Sequence, residues 1–125
     1  MKHIGLVAHD KKKPEMVEWA KTHRDVLEDH ALYATGTTGS VIRDATGLDI
    51  TCLKSGPLGG DAQLCAMIVE GKLDVLVFYI DPLTAMPHDV DVKALTRLAT
   101  LYDVLFACNH ATADAVLATL RPAWH

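Results

Sequence analysis

The sequence has few aromatic residues and few cysteines: 6% Phe, Trp and Tyr together, and three Cys in 125 residues. Cys52, Cys65 and Cys108 lie far apart and form no CxxC or Cys/His ligand pair. That excludes a disulfide scaffold and a thiolate metal centre, and the expectation is reduced, buried thiols in a cytoplasmic protein. No apolar run reaches the roughly 18 residues of a membrane span, and no signal-type segment precedes the first strand-like run. A basic excess is missing too. The net charge of −4 argues against a general binder of nucleic acid or of membranes. Neither a Walker GxxxxGK[ST] nor a GxGxxG occurs, so a nucleotide is not specifically indicated.

What is present is a globular composition, with half the residues apolar and 22% charged. A chain of this length fits one domain, residues 1–125, with a real hydrophobic core. Five short apolar runs alternate with five helical patterns. The runs are His3 to Ala8, Ala31 to Ala34, Asp49 to Leu53, Asp74 to Ile80 and Val104 to Ala107. The first helix is predicted from about Pro14 to Glu28, with Met16, Val17, Ala20 and Leu27 as its apolar stripe. A short helix ends near Gly47, another carries Leu64, Met67 and Ile68 and stops at Gly71. A long helix is marked by Val92, Leu95, Leu98, Ala99 and Tyr102, and the last covers about Thr112 to Leu120. Near-continuous apolar strands separated by helices predict an α/β fold: a three-layer α/β/α sandwich with a five-stranded, mainly parallel sheet. Right-handed crossovers then place every strand's carboxyl end on one edge, which is where ligands bind in such sheets.

Polar residues gather where the strands end. His9, Asp10 and Lys11 to Lys13 follow the first run, Thr35, Gly36, Thr37 and Thr38 the second, and Ser55, Gly56 and Asp61 the third. Asp81, Pro87, His88, Asp89 and Asp91 follow the fourth, and Asn109, His110 and Thr112 the fifth. They divide into two sets. Thr35, Gly36, Thr37, Thr38, Ser55 and Gly56 are small hydroxyl and glycine residues near helix starts, suited to holding a phosphate. One lysine of Lys11 to Lys13 could add positive charge.

The second set, His9, Asp10, Asp61, Asp81, His88 and Asp91, is of acid–base type. A metal is the competing use of such a cluster. No HxxxH spacing occurs and the phosphate set already supplies a charged centre, so no metal is expected. His3, His23, His30, His110 and His125 read as surface or core residues, and Asp89 as a helix cap. Asp25, Asp29, Asp44, Asp49, Asp74, Asp103 and Asp114 read as caps or solvated faces. The residues point to a small phosphorylated substrate beside a carboxylate base and a histidine. Proton abstraction next to a carbonyl, or loss of the phosphate, is the natural chemistry.

LVAHDKKK (Leu6 to Lys13), LYATGTTG (Leu32 to Gly39), SGPLGGDAQ (Ser55 to Gln63), DPLTAMPHDVDVKAL (Asp81 to Leu95) and ATAD (Ala111 to Asp114) closely resemble methylglyoxal synthase, in order and in register. The resemblance implies a cytoplasmic homohexameric lyase. Such an enzyme converts dihydroxyacetone phosphate to methylglyoxal and inorganic phosphate without metal or organic cofactor, with phosphate also an inhibitor. It implies Asp61 as the base, and His88 near the substrate carbonyl and hydroxyl oxygens. Phosphate would rest on Lys13, Thr35, Gly36, Thr37, Thr38, Ser55 and Gly56. His9 would contact substrate, and Asp10, Asp81 and Asp91 would complete the charged surround.

The chain departs from the pattern in a shorter tail after the last predicted helix, in Thr84 where some members have Asn, and in lacking a proline in Val104 to Ala107. Arg97 is a candidate partner for one of the carboxylates. The alternative reading is a non-catalytic regulatory domain of the same fold that binds phosphorylated effectors. A third, a sugar-phosphate isomerase, shares base and substrate and differs only in products.

Overall fold

A computed structural model describes residues 1–83 and 89–121, with side chains from 92 onward in the second segment. The strands are β1 (His3–Ala8), β2 (Ala31–Ala34), β3 (Ile50–Cys52), β4 (Val75–Tyr79) and β5 (Leu105–Ala107). The helices are α1 (Lys13–Thr22), α2 (Arg24–Leu27), α3 (Gly36–Thr46), α4 (Gly60–Val69), α5 (Asp89–Leu101) and α6 (His110–Leu120). Short 3-10 turns cover Asp10–Lys12 and Gly56–Leu58. The sheet order is β3-β2-β1-β4-β5, and every pairing is parallel, so "mainly parallel" becomes fully parallel.

The pleat sorts the strands' side chains between two cores. Ile4, Leu6 and Ala8 of β1, with Val75, Val77 and Tyr79 of β4, pack with Met16, Trp19, Ile42 and Leu117 from α1, α3 and α6. Val7, Leu76 and Phe78 pack on the other face with Leu64, Ile68 and Leu95 from α4 and α5. That burial decides whether α4 forms. The helix opens on Gly60, which costs about 1 kcal/mol against alanine. Leu64 and Ile68 are fully buried and each contributes about 1.5 to 3 kcal/mol, so packing wins.

Two expectations are corrected. The single helix predicted to Glu28 is broken at His23, whose backbone (φ −106, ψ 20) closes α1 and opens α2. The His23 imidazole reaches Asp114 of α6 at 2.9 Å, and this long-range contact overrides the local helical pattern. The thiols, expected to be buried, form no disulfide among the described residues, and Cys52 and Cys108 are exposed while Cys65 is half-buried. The reason is position: Cys52 is on β3 and Cys108 follows β5, the two edge strands, which have a neighbour on one side only.

Candidate functional site

Strand order reverses between β1 and β4, and a crevice at the carboxyl ends forms at such a point. His9 follows β1 there and Asp81 lies just beyond β4. Both are buried. The chain at the end of β4 holds His9 at two points, its backbone and its ring. The His9 N–H donates to the Tyr79 carbonyl at 3.1 Å, and the Asp81 N–H donates to His9 Nδ1 at 2.8 Å. Because Nδ1 accepts, the neutral ring carries its proton on Nε2, which makes that atom a donor. Phe78 meets the ring edge-on, with centroids 5.0 Å apart. The Asp81 carboxylate accepts from the Leu83 N–H at 3.1 Å.

On the β2 side, Thr35 and Thr38 are buried at the start of α3. Thr38 Oγ1 lies 3.5 Å from Thr35 Oγ1 and 3.5 Å from the Ala8 carbonyl, so it joins this turn to the end of β1. Gly36 has a steric part as well. Its N–H is already given to the Lys54 carbonyl at 3.2 Å. A Cβ there would stand 3.2 Å from the Leu53 carbonyl and 3.3 Å from the Ser55 nitrogen. Gly36 therefore lets the two loops meet, and the first-turn amides of Thr37 and Thr38 are the ones that the helix leaves unbonded.

The loop after β3 answers why so many glycines precede Asp61. The Gly60 N–H donates to the Ser55 carbonyl at 2.9 Å, and a Cβ on Gly60 would fall 1.9 Å from the Lys54 carbonyl oxygen. Gly59 takes φ 108°, a conformation that side chains disfavour. These two residues fold the loop back so that Asp61 sits in the first turn of α4, only 6% exposed. Both of its carboxylate oxygens lie 3.5 Å from where a Gly56 Cβ would be. A helix start favours negative charge at that position. Gln63, which sequence reasoning did not single out, pins the loop by accepting the Lys54 N–H on Oε1 at 2.7 Å. The available signal was a polar side chain on the first turn, able to reach back over its own helix start.

The lysine run separates into individual roles. Lys12 pairs with Glu15 at 3.4 Å, while Lys13 Nζ bonds Asp10, with the Lys13 side chain largely covered and the Asp10 side chain exposed. Asp10 thus lies at the surface beside Lys13. His88 lies outside the described residues, as does the side chain of Asp91. Among the described residues Arg97 pairs with no carboxylate; it stands exposed on α5. Among them, too, no three His, Cys, Asp or Glu side chains are grouped to hold a metal ion. The structure thus brings His9, Thr35, Thr38, Ser55, Gly56, Asp61 and Asp81 to one edge of the sheet. Such an arrangement can hold an anion on amides and hydroxyls, and place a carboxylate and an imidazole donor beside it.

The fold is that of an α/β domain with its polar residues gathered at the strands' carboxyl ends, and residues 15–108 match the family model of the MGS-like domain. The chain belongs to that family. Its relatives make the kind specific. It is 59% identical over 121 residues to the methylglyoxal synthase of Rhizobium rhizogenes, covering 96% of each chain. It is 54% identical over 119 residues to that of Leptospira interrogans, covering 95% of this chain and 80% of the relative. The crystal structure of methylglyoxal synthase from Elizabethkingia anophelis superposes with a TM-score of 0.89 at 47% identity, covering 94% of this chain and 77% of that one.

Proposed function

We propose that this chain is a methylglyoxal synthase, a carbon–oxygen lyase that turns dihydroxyacetone phosphate into methylglyoxal and inorganic phosphate. The observation that carries the reading is the placement of Asp61: a buried carboxylate against Gly56, on the loop seam where the Thr35–Thr38 turn and the Ser55–Gly56 turn meet. Asp61 takes a proton from the carbon next to the substrate carbonyl and leaves an enediolate. The electron pair then moves along the carbon chain and breaks the C–O bond to phosphate. The enol that remains gains a proton on its terminal carbon as its hydroxyl loses one, giving methylglyoxal.

The phosphate rests on the amides and hydroxyls of Thr35, Thr37, Thr38, Ser55 and Gly56, with Lys13 supplying charge. The His9 Nε2–H donates to a substrate oxygen, and His88 stabilises the enediolate. Asp10, Asp81 and Asp91 set the surrounding field. Elimination requires the C–O bond to phosphate to stand near perpendicular to the enediolate plane, so that the departing pair overlaps the π system. Phosphate also inhibits, since it fits the same cradle as product. The functional form is a cytoplasmic homohexamer, a reading supported by the large apolar side chains left in solvent, Leu58, Leu83 and Leu101, with Leu83 95% exposed. No helix among the described residues is long and apolar enough to cross a membrane.

The test follows methylglyoxal and inorganic phosphate together from dihydroxyacetone phosphate, beside Asp61→Asn. Equimolar products, reduced about 10²- to 10⁴-fold in the folded variant, are expected. Binding without turnover would instead make this an effector-binding domain, and glyceraldehyde phosphate as product would make it an isomerase.

A further inference from the structure

Tyr79 ends β4, and its surroundings differ on its two sides. Toward β1 the ladder runs to its last residue, pairing Ala8 with Tyr79. Toward β5 it stops two residues earlier, at Val77 and Ala107. The segment that grips His9 through the Tyr79 carbonyl and the Asp81 amide is thus bonded to a strand on one side only. On the other side a chain of side chains takes over. The Tyr79 hydroxyl lies 3.2 Å from His110 Nδ1 at the start of α6. His110 Nε2 lies 3.3 Å from Asp114 Oδ2. Asp114 Oδ1 meets His23 Nε2, at the break between α1 and α2, at 2.9 Å.

The direction of each bond follows from its partners. A carboxylate only accepts, so His23 gives Asp114 its Nε2 hydrogen, while His110 Nε2 faces the other carboxylate oxygen at ion-pair distance. Where His110 Nδ1 carries no proton, it accepts from the Tyr79 hydroxyl. Burial, with the charges of Asp114 and Glu15 adding to it, pushes the Tyr79 hydroxyl well above its ordinary value, so it keeps the proton it donates. At the inner end, His23 Nδ1 and Trp19 Nε1 are buried without a partner among the described residues. His23 therefore depends on Asp114, and losing that carboxylate would leave a half-buried imidazole with no bond among the described residues.

We infer that Tyr79, His110, Asp114 and His23 form a tether from α6 and the α1–α2 break to the free side of β4, and that Tyr79 and Asp114 are positioning residues for His9. They fix the strand end whose carbonyl holds the His9 backbone and whose following amide sets the ring's tautomer. The role in turnover rests on the activity proposed above; the effect on His9 does not.

The experiment compares the full-length protein with Tyr79→Phe, Asp114→Asn and the double variant. Val116→Ala serves as a control that thins the same α6 packing and leaves the hydrogen bonds in place. Nitrogen-15 NMR of histidine-labelled protein, with His9 assigned by its loss in His9→Gln, reads the tautomer without substrate. Wild type and Val116→Ala should show His9 protonated on Nε2 alone, while Tyr79→Phe and Asp114→Asn should show a mixture. With dihydroxyacetone phosphate, both tether variants should lose about 10- to 100-fold in kcat with KM little changed, and the double variant should lose no more than the worse single one. His9 signals unchanged in both tether variants would overturn the inference, as would additive kcat losses. If wild type makes no methylglyoxal, the activity reading fails and the His9 signals alone decide the tether.

Discussion

The sharpest prediction concerns the three glycines around Asp61, because the structure gives each a different reason to be glycine. Gly60→Ala would place a methyl carbon 1.9 Å from the Lys54 carbonyl oxygen, against backbone that cannot rotate away. Ordinary contact begins near 3.4 Å, so the two segments must separate by about 1.5 Å. Two hydrogen bonds hold them together, Gly60 to Ser55 and Lys54 to Gln63, and a third, from the Gly36 N–H, ends on the same Lys54 carbonyl that must move. Losing them at about 1 kcal/mol each outweighs the roughly 1 kcal/mol gained by alanine in a helix. The net loss is about 2 kcal/mol, a fall in Tm of about 4 to 10 °C for a domain of this size.

Activity should suffer more, since a misplacement of about 1 Å can cost about 100-fold. Gly59→Ala has open space around it, so only its φ of 108° is strained; it should lose about 1 to 2 kcal/mol with kcat within a few-fold of wild type. Gly56→Ala makes ordinary contact at 3.5 Å with both Asp61 oxygens, so the fold should hold while catalysis drops. Thermal melts and the two-product assay on the three variants check this order. A Gly60→Ala protein with wild-type Tm and turnover would refute the close-approach reasoning outright.

Two further outcomes can be checked directly. His30 is pushed below its ordinary value by burial first, then by the positive chain terminus and Lys2 against the opposing Asp29, and its Nδ1 accepts the Lys2 N–H at 2.9 Å. The unfolded chain therefore binds more protons near pH 6.5, so stability should fall as pH drops through that value and level off below the folded one. His30→Gln should flatten that part of the Tm profile between about pH 8 and 5.5; an identical profile would remove His30 as its source. Gly39→Ala would bring a Cβ to 2.7 Å from Cys52 Sγ and should destabilise by about 1 to 3 kcal/mol. Cys52→Ala should recover much of the loss in the double variant, and urea melts giving additive effects would show that the sulfur is not the obstacle.

The alternation of apolar runs with helical stripes was enough to read a layered α/β fold, because strands buried on both faces and helices striped on one leave few other packings. The same reading put polar residues at the strands' carboxyl ends, and the SGPLGGD stretch announced a backbone that must come close to itself before Asp61. Only the tertiary structure decided the rest. Sheet order is a long-range property, so nothing local says that His9 and Asp81, 72 positions apart, share a hydrogen bond. Nor does composition say which lysine of the run turns inward, or that the Gly36 amide is consumed by Lys54. The thiols were misread for the same reason: hydropathy cannot distinguish an edge strand from a central one. In isolation Asp114 looks like a cap or solvated position and His23 like an ordinary surface or core residue; folding joins them across 91 residues. Local propensity and period set the elements, while contacts between residues distant in sequence, which no window of the chain contains, set the site.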